Sequence, residues 1–312
     1  MNLAARANNG KYDWYIGSLG KTAINSVDVM ESSNQVAYSS WIDSNGTLRQ
    51  RLGELQSGSD NGVWVRMFGG KLGGDAFTNK YKTYQIGYDA KAGDWLIGAA
   101  YEYTDGSLNY NSGSGENKIG AVSLYGTLLG KDDSALDIVL KRGRIYGDMD
   151  IYGKYSDNGD YSTDATSFGV EYSKRFEAGN DVFVEPQLQL TYGRIDGYDY
   201  RSAKGVSVAY DDINSLIGSL GVVAGKEFKR GSAYVKASVL HEFSGDGAVR
   251  MLAANGESYK ADKDYGDTWL ELGLGGNVAL GKNFQLYGDV ERSFGGDVTK
   301  HWGANLGVQY SF

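Results

Sequence analysis

The sequence predicts an all-β fold: a 12-stranded antiparallel transmembrane β-barrel with an N-terminal α-helix threaded through its pore. Three observations lead to this prediction. Segments that alternate apolar and polar residues recur regularly after Asn61. The connections between these segments are short and long in turn. The composition combines 46 glycines and 24 tyrosines with one proline in 312 residues, which suits closely packed strands and a surface that is apolar in part and wet in part.

The segment from Trp302 to Phe312 shows the strand pattern most clearly. Trp302, Leu306 and Phe312 fall on one face of a strand, whereas Asn305 and Gln309 fall on the other. An aromatic residue at each end is typical of a barrel strand that meets two membrane interfaces. A half-buried strand of a soluble sandwich would show the same alternation, so the other segments decide between the two.

Twelve such segments are predicted as strands. They cover residues 61–72, 80–92, 94–105, 116–129, 134–147, 164–176, 182–196, 213–228, 232–244, 265–280, 284–295 and 301–312. An even number lets an antiparallel sheet close and removes its edges. In one segment Leu136 and Leu140 begin a face that Arg142 and Arg144 would continue, which predicts a bulge or a strand end there.

The connections sort into two kinds that alternate along the chain. Short turns are predicted at residues 92–93, 130–133, 177–181, 229–231 and 281–283. Long polar connections are predicted at 106–115, 148–163, 197–212 and 245–264, with brief ones at 73–79 and 296–300 on the same side. Outer-membrane barrels show this alternation, with the short turns in the periplasm.

Charged residues occur on the faces predicted to point inward. A charge facing lipid near the membrane midplane would cost about 2–4 kcal/mol, whereas a hydrated lumen tolerates it. We therefore expect a wet pore lined by Arg66, Asp89, Glu102, Asp137, Glu171, Arg175, Glu185, Lys236, Glu271, Asp289 and Glu291.

The composition also excludes several classes of function. The formal net charge of −8 disfavours nucleic acid as a partner. Two separated histidines and no cysteine make no metal-ligand cluster, and no motif implies a cofactor. No apolar run approaches the ~18–20 residues of a transmembrane helix. No signal peptide is visible at Met1, so we expect an exported protein whose upstream part is absent from this chain.

Residues 1–60 do not alternate, and a helix is predicted at about 24–42. Asn25 and Ser26 suit a helix start, and Asp28 and Glu31 lie favourably near it. The apolar positions form no single stripe, so the helix needs an unusual setting, unless the segment is a frayed linker. Strand 1 begins on the short-turn side, so a chain coming from outside must cross the lumen. The residues assigned to this pore helix include Val27, Asp28, Glu31, Tyr38 and Trp41.

Several segments resemble the β-domain of monomeric autotransporters. Residues 47–55 (TLRQRLGEL) and 62–71 (GVWVRMFGGK) resemble its start, and residues 183–192 (FVEPQLQLTY) are similar to its mid-barrel strand. The ending at Val308, Tyr310 and Phe312 resembles its terminal assembly signal, read by the outer-membrane insertion machinery. Residues 10–16 (GKYDWYI) are similar to the last β-rung of the passenger in adhesin-type members.

The resemblance implies a protein-secretion role in the bacterial outer membrane. The barrel, residues 61–312, would carry its own N-terminal passenger to the cell surface, residues 1–20 would be a passenger remnant, and residues 21–60 would be the linker with the pore helix. The implied partners are outer-membrane lipid and lipopolysaccharide, the barrel-assembly machinery and periplasmic chaperones, and the passenger. A monomer without enzymatic activity is expected.

A barrel enzyme or a diffusion porin is the alternative. His241 and His301 lie near long-loop ends, where omptin-like proteases use histidine and aspartate, with Asp246, Asp262 or Asp297 as partners. Ser244 near His241 would suit a phospholipase-like pair, although His241 has lipid-facing parity. A porin or enzyme needs no helix ahead of strand 1, so both alternative hypotheses are disfavoured.

One reaction follows from the resemblance. Self-cleaving members cyclise an asparagine inside the pore, at paired asparagines ahead of a motif like residues 51–55. The comparable stretch here, Ser44 to Thr47, has the single pair Asn45-Gly46. Asn-Gly forms succinimides readily and is also a common turn. We interpret it as a turn and expect no self-cleavage.

Overall fold

The computed structural model describes the backbone of residues 2–8, 11–18, 25–54 and 61–312, and the side chains of residues 26–45 and 61–312. Strands β1 (Asn2–Asn8) and β2 (Lys11–Ser18) pair as an antiparallel hairpin. Helix α1 (Asn25–Glu54) follows. Within these described ranges, no helix combines the length and the apolar character needed to cross a membrane.

The strands after α1 are all antiparallel to their neighbours. In chain order they are β3 (Gly62–Gly73), β4 (Phe77–Ala92), β5 (Trp95–Tyr110), β6 (Gly113–Leu129), β7 (Ser134–Ile151), β8 (Asp157–Lys174), β9 (Phe176–Gly179), β10 (Val182–Ile195), β11 (Tyr198–Arg201), β12 (Ser207–Tyr210), β13 (Ile213–Phe228), β14 (Gly231–Glu242), β15 (Gly247–Leu252), β16 (Ser258–Lys263), β17 (Thr268–Ala279), β18 (Phe284–Phe294) and β19 (Thr299–Ser311).

Twelve of these strands close into a barrel. Strands β3 to β8 pair in sequence, β8 pairs with β10, and β10 pairs with β13. The ring continues through β14, β17, β18 and β19, and β19 pairs back to β3. The short strand β9 follows β8 after Arg175 and pairs with β10. The predicted closed 12-stranded antiparallel barrel is therefore confirmed.

The barrel is apolar outside and largely polar or aromatic inside. In β3, Val63, Val65 and Met67 are 43%, 52% and 50% exposed, whereas Trp64 and Arg66 between them are 1% and 3% exposed. Adjacent strands repeat this pattern, so a broad apolar surface surrounds the barrel. Such a surface suits the hydrocarbon of a bilayer and not water.

Glycine and aromatic residues pair across neighbouring strands inside the wall. Trp64 lies opposite Gly87, and Tyr125 lies opposite Gly98. A Cβ atom on either glycine would lie 2.4 Å from the facing ring. The rings therefore lie flat over the glycines, which gives the high glycine and tyrosine content a direct packing reason.

Two of the predicted long connections are wrong. Strands β5 and β6 continue to Tyr110 and from Gly113, so only a tight turn remains of 106–115. Strands β7 and β8 likewise shorten 148–163 to the residues between Ile151 and Asp157. The polar residues there face outward, while inward apolar side chains of the same strands form a core, so the ladder extends beyond the lipid-facing belt.

The bulge or strand end predicted in 134–147 is also wrong. Strand β7 pairs with β8 in one unbroken register from Ser134 to Ile151. Arg142 and Arg144 remain on the outer face and form ion pairs with Asp164 at 3.1 and 3.5 Å. The outer face changes from apolar to charged along one strand because the strand rises above the apolar belt.

The other long connections fold into a second sheet at the long-loop end. Strands β11 and β12 come from the connection between β10 and β13, and β15 and β16 come from that between β14 and β17. Pairing of β12 with β15 joins the two hairpins into one four-stranded sheet. This cap sheet covers α1 with inward-facing tyrosine and aliphatic side chains.

Helix α1 is longer than the predicted 24–42, because it ends at Glu54. Asn45 and Gly46 therefore lie inside the helix, and the turn predicted there is wrong. A glycine costs a helix about 1 kcal/mol relative to alanine. Tertiary surroundings often outweigh such local preferences, and here the barrel encloses the helix.

Candidate functional site in the barrel lumen

The charged residues predicted to line a pore have side chains on the inner side of the wall. The ones buried there are Arg66, Asp89, Glu102, Asp137, Glu171, Glu185, Asp289 and Glu291, and the less buried ones are Arg175, Lys236 and Glu271. Arg175 lies at the short-turn rim, where it contacts Glu185 at 3.0 Å and stacks over the Phe183 ring. The interior thus carries both signs of charge.

Helix α1 runs through this interior, and residues on several of its faces are buried. Val36, Ala37 and Trp41 are 0% exposed, and Ser33 and Asn34 are 0% and 1% exposed. A helix inside a barrel has wall around its whole circumference, which explains why its apolar residues form no single stripe. The outer end of α1 differs: Asp28 is exposed and Val27 is partly buried against the core.

The first turns of α1 bind the cap sheet. The Tyr210 hydroxyl donates to the Met30 carbonyl and lies 3.1 Å from the Ser33 hydroxyl. Burial raises the pKa of the Tyr210 phenol well above its ordinary value, so the hydroxyl stays neutral and can donate. Tyr259 donates to Glu31 at 3.1 Å, and Lys263 forms an ion pair with the same carboxylate. The N-terminal end of α1 therefore lies at the long-loop end.

The middle of α1 is fixed by Tyr38. Its ring stacks on Tyr265, with centroids 4.7 Å apart and planes 14° from parallel. Its hydroxyl donates to Glu242 at 2.6 Å. Glu242 is 1% exposed and also accepts the backbone N–H groups of Leu216 and Ser244, at 2.7 and 3.0 Å. This carboxylate thereby ties the helix to the wall.

Farther along α1, Lys141 of β7 joins the helix to the opposite wall. Lys141 is 2% exposed and forms an ion pair with Glu102. Its ammonium lies 2.6 Å from the Ser44 hydroxyl and 4.6 Å from the centroid of the Trp41 ring. The ion pair, the hydrogen bond and the cation–π contact together compensate a charge that would be costly to bury alone.

A second lysine, Lys300, closes a network of charges across the lumen. Its ammonium lies 2.8 Å from Asp43 of α1, forms an ion pair with Glu291, and is 3.8 Å from Glu271. Lys236 reaches Glu291 at 2.8 Å. The network links the helix to β14, β17, β18 and β19 through charge-assisted contacts.

Sequence reasoning missed Lys141, Glu242, Lys300 and Asp43. Lys141 shares inward parity with Asp137, but the presumed break in β7 hid this relation. Glu242 shares inward parity with Lys236, and the even spacing could have shown it. Lys300 lies beside a register shift between Lys300 and Trp302, so simple alternation from the end of the chain does not find it.

The residues predicted as an assembly signal lie at the short-turn end of the outer face. The Tyr310 ring lies 4.8 Å from the Phe284 ring and 6.2 Å from the Phe312 ring. Phe312 is 60% exposed, and its backbone N–H donates to the Asn61 carbonyl at 3.0 Å. Val308 pairs with Val65 of β3 and lies on the same outer face as Tyr310. The aromatic group sits where the apolar belt ends.

The Ser244–His241 pair considered for a phospholipase-like site does not form. His241 faces outward, with its ring 2.7 Å from the Thr268 hydroxyl and edge-on to Phe243. The Ser244 hydroxyl donates instead to the Asn214 carbonyl at 3.0 Å. Over the residues whose placement the structure gives, no three His, Cys, Asp or Glu side chains converge as a metal site.

Comparisons with known proteins agree with this architecture. A family model described as "Autotransporter beta-domain" matches residues 63–291. The pertactin autotransporter of Bordetella parapertussis is 31% identical over 295 residues, which cover 89% of this chain and 32% of that protein. The crystal structure of the β-domain of the Bordetella autotransporter BrkA matches with a TM-score of 0.66 and 27% identity, over 81% of this chain and 100% of that one. The translocator domain of NalP from Neisseria meningitidis has the same fold, with a TM-score of 0.72 at 16% identity, over 89% of this chain and 98% of that one.

The closed 12-stranded barrel, with a helix in its polar lumen, has the fold of autotransporter translocator domains. The chain belongs to the autotransporter β-domain family, and its place is the Gram-negative outer membrane. The long-loop end is then extracellular and the short-turn end periplasmic. The chain spans about a third of the length of the curated relatives it matches.

Proposed function

We propose that this barrel carries a passenger segment of its own polypeptide across the outer membrane and displays it at the cell surface. The observation that carries the proposal is the direction of α1. Its N-terminal end binds the extracellular cap sheet through Tyr210, and Ser44 lies deeper, against Lys141. A chain that is outside at its N-terminal end and enters β3 from the periplasmic end has crossed the lumen.

In this proposal α1 is the resting plug left after export. Residues 1–20 are the end of the passenger, residues 21–60 are the linker with the pore helix, and residues 61–312 are the barrel. The charged inner wall hydrates the lumen while the passenger moves through it. Afterwards, the same charges and hydroxyls bind α1.

The proposed partners follow from the surfaces. Lipid and lipopolysaccharide contact the apolar outer belt and the charged rim above it. Val308, Tyr310 and Phe312 are read by the barrel-assembly machinery, to which periplasmic chaperones deliver the chain. One chain closes the whole barrel, so a monomer suffices.

We assign no catalytic role to the barrel. Asn45 lies in α1, and its side-chain amide donates to the Ser167 hydroxyl at 2.9 Å. The helix fixes the backbone on both sides, so cyclisation at Asn45 would require the helix to open. The intact chain should therefore persist in folded barrels for days at neutral pH, which mass spectrometry can measure. A product that begins at Gly46 and forms only in folded barrel would contradict this assignment.

The test of export uses a reporter domain placed upstream of Met1, behind a signal peptide. Protease added to intact cells should remove the reporter while a periplasmic marker stays protected. A matched strain expresses the same reporter without residues 25–312. A reporter that is protected in both strains would refute the proposed function, whereas exposure only with the barrel supports it.

A further inference from the structure

Helix α1 does not fill the lumen evenly. Its most extensive contacts are with β7 and β6, where Ala121, Ile145 and Ala165 pack in the same apolar cluster as Trp41. Toward β14 and β17 to β19, the deeper part of the helix is held mainly by polar bridges, such as those of Tyr38 with Glu242 and Asp43 with Lys300. The helix is therefore displaced toward one wall.

A cavity of about 120 Å³ lies between α1 and the other wall. Asp267, Asp297 and Val298 line it at the extracellular ends of the strands, and Asn45, Gln189 and Thr191 line it deeper in the barrel. A second cavity of about 30 Å³ shares these three deeper residues and continues to Asp137 and Glu171. The two cavities share part of their lining and follow one another along the helix.

The larger cavity is strongly acidic. Five carboxylates line the larger cavity against one lysine: Asp43, Asp267, Glu271, Glu291 and Asp297 against Lys300. Lys300 itself is ion-paired with Asp43 and Glu291. A cleft with walls of one charge sign concentrates counter-ions and repels ions of its own sign.

We propose that the barrel conducts small cations with α1 in place, along a side passage between α1 and the β10–β19 wall that excludes anions. This inference goes beyond the proposed function and does not depend on it, because it concerns the resting barrel. Blocking a polypeptide and blocking small ions are then two separate properties of the plug. The helix blocks a polypeptide, whereas water and monovalent cations pass beside it.

Single cysteines test the route, because the chain has no cysteine of its own. Thr191→Cys places a thiol where the two cavities meet. Ala165→Cys is the matched control, since Ala165 is 1% exposed on the wall that α1 covers. Ser258→Cys, on the exposed cap sheet, gives the intrinsic reactivity of each reagent. The intact barrel is treated from the extracellular side with a cationic and an anionic methanethiosulfonate.

The passage predicts that Thr191→Cys prefers the cationic reagent by at least ~10-fold more than Ser258→Cys does. Reaction should lower the potassium conductance in planar bilayers, and Ala165→Cys should stay unmodified. Protection of Thr191→Cys, equal rates for both reagents, or unchanged conductance after modification would each overturn the proposal. Equal modification of Ala165→Cys would also overturn it, because the helix would then not be fixed against that wall.

The acidic lining is tested separately, with variants that remove charge and keep size. In a potassium chloride gradient, Glu271→Gln combined with Asp297→Asn should move the reversal potential toward zero. Asp262→Asn is the control, since Asp262 is an exposed extracellular carboxylate outside the cavity. An unchanged reversal potential in the double variant, or an equal shift in the control, would contradict cation selection by this passage.

Discussion

The two halves of the barrel lumen are built on different physical principles. The extracellular half resembles the core of a soluble domain, in which Met30 of α1 packs among apolar side chains such as Ile213, Val249 and Met251. The deeper half is held by charges and hydrogen bonds, such as those of Lys141 with Glu102 and Ser44. The apolar half packs around the helix, whereas the polar half holds it through ion pairs and hydrogen bonds.

Removing the helix should have the largest effect, because both halves lose their common partner. Deletion of residues 1–45 should leave a folded, heat-modifiable barrel with a conductance several-fold higher in planar bilayers. Deletion of residues 1–24 is the matched control, since it leaves α1 whole, and its conductance should equal that of the full chain. Unchanged conductance after the longer deletion would mean that α1 does not occupy the lumen.

In the deeper half, Lys141→Met should be strongly destabilising. The substitution leaves the buried Glu102 without its cation, which costs about 3–5 kcal/mol. Lys141→Met combined with Glu102→Gln removes the stranded charge and should recover much of this loss. Urea unfolding followed by loss of heat-modifiable migration measures both variants. If the single and the double variant lose the same stability, the ion pair does not account for the effect of Lys141.

In the extracellular half, a single hydroxyl should matter less. Tyr210→Phe removes the hydrogen bond to the Met30 carbonyl and should cost about 1–2 kcal/mol. The expected readout is more frequent opening of the channel to its unplugged conductance. Tyr155→Phe is the control, because Tyr155 is 50% exposed and away from α1. Similar opening frequencies in the two variants would show that the cap sheet does not retain the helix.

A change on the outer face should alter neither half of the lumen. The Phe312 ring is 60% exposed, so Phe312→Ala should change the stability of folded barrel by no more than about 1 kcal/mol. Insertion in cells should slow much more, because we assign this residue a recognition role. Pulse–chase labelling and urea unfolding separate the two effects. Equal losses in both assays would show that Phe312 acts through packing alone.

Alternation along the strands predicted much of the lumen but little of its extracellular half. The two-residue period of the strands placed Glu102 and Glu291 inside the barrel. This works because the lipid-facing side of a strand favours apolar side chains and the lumen-facing side favours polar ones. It could not tell that Leu108 and Met149 lie in strands rather than loops, since polar neighbours above the membrane hide the pattern. The cap sheet escaped prediction because β12 and β15 are four and six residues long and pair across a long separation in sequence.

The partners of α1 were equally hard to predict. Topology required a helix through the lumen, but not which residues it meets. Lys141 lies where a bulge or a strand end was predicted, and Tyr265 is the first residue of a predicted strand. Asn45 and Gly46 suggested a turn because local preference favours one, whereas enclosure by the barrel favours a continued helix.

The central claim is that α1 lies inside the barrel in one register, and a cross-linking measurement tests it most directly. The Ser40 hydroxyl lies 3.1 Å from the side-chain amide of Asn79 in β4. Ser40→Cys with Asn79→Cys, assembled in membranes and treated with a short bifunctional maleimide, should yield a linked peptide by mass spectrometry. Ser40→Cys with Gln309→Cys, an inward position near the periplasmic end, should yield none. Linkage of the second pair, or of neither pair, would contradict the account.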